Sequence, residues 1–158
     1  MHIAAPAAPV SDVRYRERLS PSLWTLLSSA VIAPMVALVF VPLDATIALA
    51  AGIAVAAVLI GLLVFASPVV EVRAGELRVG RAHIPVDQLG PAEPLWADDA
   101  RAARGPQLSA TAWHMFRGGI DPVVRVSVID PGDPVTEWVF STRTPDRVVA
   151  AIRRAQSR

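Results

Sequence analysis

The fold of this chain is decided by residues 23–66, which read LWTLLSSAVIAPMVALVFVPLDATIALAAGIAVAAVLIGLLVFA. The only ionisable side chain in this stretch is Asp44, which follows Pro42 in a short break between two apolar runs, residues 23–41 and 45–66. A helix rises about 1.5 Å per residue, so the runs would reach roughly 28 and 33 Å, against a bilayer hydrocarbon core of about 30 Å. We therefore predict a transmembrane helical hairpin.

The composition is typical of a small membrane protein with one further domain. Of the 158 residues, 53% are hydrophobic, and the mean hydropathy is +0.46, which is more apolar than a soluble domain usually is. The net charge of +1 provides no overall attraction to nucleic acid. Because the chain has no cysteine, disulfides, thiolate metal sites and cysteine nucleophiles are excluded.

Arginines on both flanks of the hairpin predict its topology. Three precede the first span, three follow the second, and the turn between the spans holds no basic residue. Basic residues stay on the cytoplasmic side, so we predict a multi-pass protein of the plasma membrane with both termini in the cytoplasm. A cleaved signal peptide is the alternative, although a second span follows the first run at once. The arginines expected to face lipid are Arg14, Arg16, Arg18, Arg73, Arg78 and Arg81.

Small residues recur every four positions along both apolar runs. Such spacing lets helix backbones approach closely, so we predict that these faces pack against each other, although an alanine-rich sequence also produces the spacing by chance. Pro34 cannot donate to the carbonyl of Ala30, so we expect a kink there. The predicted packing residues are Ser29, Ala33 and Ala37 on the first helix and Ala48, Gly52 and Ala56 on the second.

The segments outside the hairpin have different patterns. Residues 1–22 are predicted to be a disordered tail and a basic juxtamembrane segment, because the first twelve are rich in alanine and proline. From Ser67 onward the apolar period becomes alternating, which is typical of strands. The predicted elements are a β-hairpin at 70–80, a short edge strand at 82–89, a loop with one helical turn at 90–106, a strand at 108–116 and a β-hairpin at 123–141.

The second β-hairpin and the C-terminal helix have recognisable local signals. The turn Asp130-Pro131-Gly132-Asp133 suits type II, and Thr136, Trp138 and Phe140 share the face that we expect to be buried. A helix over residues 145–157 is predicted, with Thr144 as N-cap and Pro145 at the first position. Its apolar stripe, which must cover the sheet, consists of Val148, Val149, Ile152 and Ala155.

These elements define the predicted fold class as an α+β membrane protein. A two-helix transmembrane hairpin is followed by a small, mainly antiparallel, cytoplasmic β-domain at residues 67–158 with one C-terminal helix. Strands followed by one amphipathic helix beside a membrane resemble the pleckstrin-homology-like architecture of small bacterial membrane proteins.

A series of short motifs carries a closer resemblance. In order and spacing they are similar to an actinobacterial family of alanine-rich proteins with two membrane spans and no assigned function, the domain-of-unknown-function family 3093. The chain departs from that pattern at Ser109, where aspartate is usual, and at Gly118-Gly119. The resemblance implies two spans and no particular reaction. The motifs are Tyr15-x-Glu17-Arg18-Leu19-x-Pro21-x-x-Trp24, Gly80-Arg81 with Ile84-Pro85, Arg104-Gly105-Pro106, Asp130-Pro131-x-Asp133-Pro134 with Trp138, and Ser141-Thr142-Arg143-x-Pro145.

No catalytic or metal-ligating constellation is evident in the sequence, so we predict no enzyme, metal site or cofactor. His83 and His114 lack partners at zinc-ligand spacing, and neither a Gly-x-Ser-x-Gly elbow nor a phosphate loop occurs. The densest acidic group could offer oxygen ligands to calcium, but it lacks EF-hand spacing, and its prolines explain the turn without metal. That group is Asp121, Asp130, Asp133 and Glu137.

Arg104 and Arg143 are candidates for a structural or partner-binding motif, together with Asp130, Asp133 and Trp138. An internal salt-bridge cluster, which would also include Glu137, and a site for a partner or a headgroup remain as alternatives.

Two functional hypotheses follow. The first is a membrane-anchored interaction or scaffold protein whose cytoplasmic β-domain docks a protein partner. The second is a module that binds anionic lipid headgroups through its arginine flanks, each contributing about 1 kcal/mol near the leaflet. A homo-oligomer through Ala57 and Gly61 and an enzyme acting on lipid are further alternatives.

Overall fold

A computed structural model describes residues 13–42 and 44–157, and its most apolar part is a helical hairpin. The first apolar run forms α1 (Leu23–Ala30) and α2 (Ile32–Phe40), and the second forms α3 (Ala45–Phe65). By length and composition, both arms are long and apolar enough to cross a membrane. Large apolar side chains on all three helices are exposed, from Leu23 at 82% to Phe65 at 81%.

The first arm is interrupted at Val31, one turn before the proline at which we expected a kink. Pro34 has no N–H to donate to the carbonyl of Ala30, and its ring crowds that carbonyl. The N–H of Val31 donates to the carbonyl of Ser28 at 3.3 Å in a tighter turn. Proline therefore divides the arm into two helices.

The two arms pack through their small residues. Ala48 and Gly52 are the buried residues of α3. A Cβ added at Gly52 would lie 2.7 Å from the carbonyl oxygen of Ala33 and 3.2 Å from the Cβ of Ala37, so this approach requires glycine. The remaining predicted packing residues are both half-buried: Ser29 and Ala56.

The hairpin is inserted between the first two strands of a β-sheet. β1 (Val13–Arg18) precedes the hairpin and β2 (Val69–Arg73) follows it, and the two strands pair antiparallel. β3 (Glu76–Val79) and β4 (Ala82–Pro85) complete the sheet in the order β1-β2-β3-β4. Pro85 is the last residue of β4, which is an edge strand. Proline has no N–H, and at this edge position its absence removes no hydrogen bond between paired strands.

The position of β1 corrects the predicted domain boundary. The segment that we expected to be only a basic flank of the hairpin is a strand, so the β-domain begins at Val13 and not at residue 67. Its alternation of Tyr15 and Leu19 with arginines is a strand pattern that the basic composition obscured. The predicted tail, residues 1–12, lies outside the described residues.

The second sheet has the strand order β5-β7-β8-β6. Its strands are β5 (Leu89–Leu95), β6 (Ala112–Met115), β7 (Val123–Val128) and β8 (Glu137–Ser141). β6 runs parallel to β8, and the other pairs are antiparallel. The loop predicted within residues 90–106 is wrong where β5 forms, whereas the predicted helical turn is present as α4 (Ala97–Arg104). Pro91 and Pro94 are tolerated because β5 is an edge strand.

The turn between β7 and β8 differs from the predicted type II turn. Gly132 lacks the positive φ that a type II turn requires. The carboxylate of Asp130 accepts the N–H of Gly132 at 2.9 Å, and that of Asp133 accepts the N–H of Val135 at 2.8 Å. Both aspartates therefore stabilise the turn through their own backbone, as Asx turns do.

The core lies between the two sheets and is covered by α5 (Pro145–Gln156). Val148, Val149 and Ile152 are buried, as their spacing predicted. They join one cluster with Leu19, at the end of β1, and Phe140 of β8. The C-terminal helix thus packs against residues from both ends of the chain.

Strand β8 is buried on both faces. Trp138 is 5% exposed, and its ring lies 4.3 Å from that of Trp113, centroid to centroid. On the opposite face, Val139 packs with Ala100 and Ala103 of α4. The predicted motif residue Trp138 is therefore part of the core and not of a surface.

Replacing Trp138 with alanine should lower the free energy of unfolding by about 3–5 kcal/mol, because a large buried ring leaves a cavity. Denaturant unfolding of the detergent-solubilised protein, followed by circular dichroism, measures the change. The matched control is Trp96→Ala, since Trp96 is 43% exposed, and it should cost under about 1 kcal/mol. Equal losses in both variants would contradict the core position.

Residues 67–158 alone should not melt cooperatively, because β1 and Leu19 are missing from the sheet and the core. A variant in which a short Asn-Gly linker replaces residues 20–67 should fold, because β1 and β2 then form an ordinary β-hairpin. Thermal melting by circular dichroism compares the two proteins. Cooperative melting of residues 67–158 at the temperature of the linked variant would contradict the role of β1.

Candidate functional site at the junction of the hairpin and the β-domain

Strand β1 presents different chemistry on its two faces just before the chain enters the hairpin. Tyr15 and Glu17 are half-buried and Leu19 is buried, whereas Arg16 and Arg18 are exposed. This follows from the two-residue period of a strand. One short segment therefore supplies an internal polar cluster and, on its other face, guanidinium groups.

The carboxylate of Glu17 is the centre of a hydrogen-bond network between β1 and the segment before α5. Its Oε2 accepts from the Tyr15 hydroxyl at 2.6 Å and from the Thr142 hydroxyl at 2.5 Å. Its Oε1 accepts from the backbone N–H of Arg143 at 3.0 Å. The Glu17 side chain is only 14% exposed. Bonds to a shielded carboxylate are charge-assisted and therefore stronger than neutral ones.

The side chain of Thr144 belongs to this network, although the residue stands at the N-cap of α5. Its hydroxyl oxygen lies 2.8 Å from that of Tyr15. The single phenolic proton of Tyr15 is donated to Glu17, so the Thr144 hydroxyl is the donor in this pair. Thr144 is the N-cap residue of α5, as predicted, but its hydroxyl makes no hydrogen bond to the helix.

Arg143 holds the end of β1 where the chain leaves for α1. Its Nη1 donates to the carbonyl of Arg18 at 3.2 Å, and its Nη2 donates to the carbonyl of Ser20 at 2.8 Å. Nη1 also lies 3.7 Å from Oε1 of Glu17. This planar fork of donors binds two carbonyls and a carboxylate at once, which lysine could not reproduce.

Arg18 and Ser67 complete the C-terminus of α3. The last four carbonyls of a helix have no partner within it. The Ser67 hydroxyl donates to the carbonyl of Leu63 at 3.0 Å, and the Ser67 N–H donates to that of Val64 at 3.2 Å. Nη2 of Arg18 lies 3.0 Å from the Val64 carbonyl oxygen and 3.4 Å from that of Phe65. A strand residue thus ties the β-domain to the end of the hairpin.

The β6–β7 loop touches the other arm of the hairpin. Gly119 has a φ of +78°, and a Cβ there would lie 2.7 Å from the Cβ of Ser22. Ser22 is the N-cap of α1, and its hydroxyl accepts the N–H of Thr25 at 3.2 Å. Glycine at 119 therefore allows the β-domain to approach the start of α1.

The predicted salt-bridge cluster around Arg104 and Arg143 is wrong. Arg104 pairs with Asp121 at 3.3 Å, and Arg143 pairs with Glu17. Glu137 lies 3.7 Å from Arg125 on the neighbouring strand. The aspartates of the β7–β8 turn take no part in these pairs.

The arginines predicted to face lipid are divided by the register of the first sheet. Arg18 contacts the end of α3, and Arg81 lies in the β3–β4 turn close to Phe65. Arg73 lies at the end of β2 that is farther from the hairpin. Because a strand rises about 3.3 Å per residue, Arg73 is about 13 Å farther from the hairpin than Val69 is. Arg14 is a residue of β1 whose side chain lies outside the part that the structure describes.

A charged row crosses the outer face of the first sheet. Its members are opposite one another in the register of all four strands, with an acidic residue between two arginines and a histidine beyond the second arginine. Arg78 also bonds Glu76 at 3.2 Å. This face therefore presents fixed charges and not an apolar surface. The charged row consists of Arg16, Glu71, Arg78 and His83.

The histidine and carboxylate side chains of the described residues do not form a metal-binding cluster. Within residues 13–42 and 44–157, no three histidine or carboxylate side chains come close enough to hold a metal ion. His114 stacks on Phe116, with ring centroids 5.2 Å apart. The contacts described above make the candidate site a junction between β1, the segment before α5 and the ends of the hairpin.

Sequence reasoning missed Tyr15, Glu17 and Thr142 as site residues, although all three lie in the quoted motifs. The available signal was the alternation of Tyr15 and Glu17 with arginines, which places both on the inward face of a strand. The contact with Thr142 could not be predicted locally, because it joins segments at the two ends of the described chain.

The chain matches the model of a known protein family over most of its length. A family model described as protein of unknown function (DUF3093) matches residues 14–152. The chain belongs to the DUF3093 family. The resemblance to this family that was inferred from the motifs is thereby confirmed. The DUF3093 match includes both segments that the Glu17 network joins, β1 from Arg14 onward and the residues just before α5. No curated protein and no solved structure matches this DUF3093 chain.

The Tyr15 hydroxyl provides a spectroscopic test of the network. Burial raises its pKa above the ordinary value, and its hydrogen bond to Glu17 raises the pKa further. The folded state thus favours the neutral phenol, and this stabilisation is complete below the ordinary pKa and lost as the pH rises through the folded pKa.

Because Tyr15 is the only tyrosine, tyrosinate absorbance during a pH titration reports this hydroxyl alone. The midpoint in the folded protein should lie above that in denaturant, which is about 10. Glu17→Gln should lower the folded midpoint, because the negative charge is lost while burial remains. The control is Glu93→Gln on the exposed side of β5. A midpoint unmoved by Glu17→Gln would contradict the network.

Proposed function

We propose that this DUF3093 protein is a membrane-anchored interaction or scaffold protein whose β-domain is held against the cytoplasmic face of the plasma membrane. The observation that carries the proposal is the pairing of β1 with β2 on either side of the hairpin. It fixes both flanks of the hairpin to one rigid sheet.

The hairpin is the proposed membrane anchor. Apolar side chains along all three of its helices are exposed, and a soluble protein rarely leaves so large an apolar patch uncovered. Asp44, the ionisable residue in its turn, accepts the N–H of Thr46 at 2.7 Å and caps α3. A bilayer would cover the exposed face at no further structural cost.

The paired strands support a topology with both flanks on one side. Strands that share a sheet cannot lie on opposite sides of a bilayer, so a spanning hairpin must enter and leave on the same side. The arginines of β1 and of the first sheet favour the cytoplasmic side for that face. The two four-stranded sheets with one C-terminal helix support a pleckstrin-homology-like fold for the domain.

The charged row is the proposed docking face for a protein partner. No helix of the described chain covers it, and α5 lies on the other side of the sheet. The Glu17 network and the Arg18 contacts hold the sheet at a fixed position relative to the hairpin, which is what a scaffold beside a membrane requires. A rigid face that carries charges of both signs favours specificity in protein recognition.

A second candidate function is the binding of anionic lipid headgroups. The observation that favours it is Arg81, whose side chain is exposed beside the end of α3. A guanidinium at this level would lie near the headgroups of the leaflet that faces the β-domain.

Single cysteines test the topology in this cysteine-free chain. In intact cells an impermeant maleimide should label Asp44→Cys, while Ser157→Cys should react only after permeabilisation. Pro42→Cys is a second turn position that leaves the Asp44 cap of α3 intact. Labelling of Ser157→Cys in intact cells would place the β-domain outside and would overturn the cytoplasmic assignment.

Site-specific photo-crosslinking in cells tests the docking face. A crosslinking residue at position 73, which is exposed on the same face of β2 as Glu71 and outside the charged row, should give a discrete protein adduct. Glu71→Arg in the same chain should abolish the adduct by breaking the charged row. The matched control is position 93 on the exposed side of β5, which should give no adduct. The absence of any protein adduct at position 73 would contradict the interaction hypothesis.

A further inference from the structure

A groove opens where the hairpin ends against the β-domain. Its volume is about 700 Å³, which falls in the range of about 300–1,000 Å³ typical of small-molecule sites. One wall is the chain that leaves α3 at Phe65, and the other is the β3–β4 turn with Arg81. The edge strand β6 contributes Trp113 and Met115.

The walls of the groove are fixed in place. The N–H of Gly80 donates to the carbonyl of Val69 at 2.8 Å, which holds the β3–β4 turn against the start of β2. Gly80 has a φ of +63°, and a Cβ there would lie 3.5 Å from Sδ of Met115. The groove is therefore formed by paired strands and a short turn and not by a flexible loop.

The groove combines apolar side chains with polar surface and one cation. Phe65, Trp113 and Met115 supply apolar surface, and Arg81 is the charged side chain that lines it. Within residues 13–42 and 44–157, Arg81 makes no ion pair and no side-chain hydrogen bond. Its guanidinium is free to form the bidentate contact that this group makes with phosphate.

The position of the groove indicates what would occupy it. Phe65 is the last residue of α3 and is 81% exposed, so the groove is continuous with the exposed apolar face of the hairpin. In a spanning hairpin this level is the boundary between hydrocarbon and headgroups. A molecule that fits has an apolar chain on the membrane side and an anionic group on the side of the β-domain.

We propose that this groove binds an anionic phospholipid from the leaflet next to the β-domain. The phosphate contacts Arg81, and the first carbons of an acyl chain lie along Phe65, Trp113 and Met115. This site rests on the proposed membrane anchor and deepens the second candidate function, because it names the residues and the lipid class. Arg18 does not serve this role, since its guanidinium is bound to the carbonyls at the end of α3.

Native mass spectrometry of the full chain tests the site. The protein is reconstituted in nanodiscs of phosphatidylcholine with phosphatidylglycerol and released in the spectrometer, and the retained lipids are counted. The wild type should retain phosphatidylglycerol in preference to phosphatidylcholine. Arg81→Gln should weaken this preference about tenfold or more, because a hydrogen-bonded charge pair is lost.

Two further variants distinguish a built site from general attraction to the leaflet. Arg73→Gln removes the same charge at the far end of the same sheet and should leave the preference unchanged. Met115→Trp fills the groove while keeping Arg81 and should reduce lipid retention. Equal effects of Arg81→Gln and Arg73→Gln, or unchanged retention in Met115→Trp with an intact melting curve, would overturn the proposal.

The outcomes also separate this site from the membrane anchor. A chain that enters nanodiscs but shows no preference that depends on Arg81 would overturn the lipid site and leave the anchor intact. A chain that does not enter nanodiscs would overturn both. A protein adduct from a crosslinking residue at position 82 in cells would show that a protein occupies the groove and would also overturn the lipid assignment.

Discussion

Arg18 and Val69 lie opposite each other on neighbouring strands although the whole helical hairpin separates them along the chain. Paired strands are about 4.8 Å apart, so the sheet dictates how close the start of α1 and the end of α3 must be. Closing so long a loop costs conformational entropy. The hairpin offsets this cost itself, because Gly52 brings α3 against α2 and returns the chain to its starting point. The sheet and the hairpin therefore each stabilise the geometry that the other needs.

The polar groups at the junction follow from this shared geometry. A chain that passes from a strand into a helix and back leaves carbonyls without partners at each transition. Arg143 donates to two of them at the exit of β1, and Arg18 donates to two at the end of α3. Because unsatisfied backbone groups are most costly in a poorly hydrated setting, guanidinium groups with several donors suit both positions.

Local patterns predicted the parts of the fold that depend on neighbours in sequence. The apolar runs, the alternation in β2 and β3 and the amphipathic stripe of α5 are all visible within a few residues. The strand β5 was missed because Pro91 and Pro94 are normally strand breakers, and only its edge position makes them acceptable. The partner of Arg143 was also missed, because sequence distance pointed to Glu137, whereas strand register brings Glu17 within reach. The junction is therefore the part of the molecule least accessible to local reasoning.

The insertion of the hairpin between β1 and β2 also orders the events of biosynthesis. When the ribosome has made β1, its pairing partner does not yet exist, and the next residues to emerge are the apolar arms. In the membrane-anchored protein that we propose, the hairpin would enter the bilayer before β2 is available, while the Glu17 network must wait until Thr142 and Arg143 have been synthesised. Domains generally fold as units as they emerge, but this one can close only after the residues on both sides of its hairpin have been made. The first strand made is therefore among the last to find its full set of contacts.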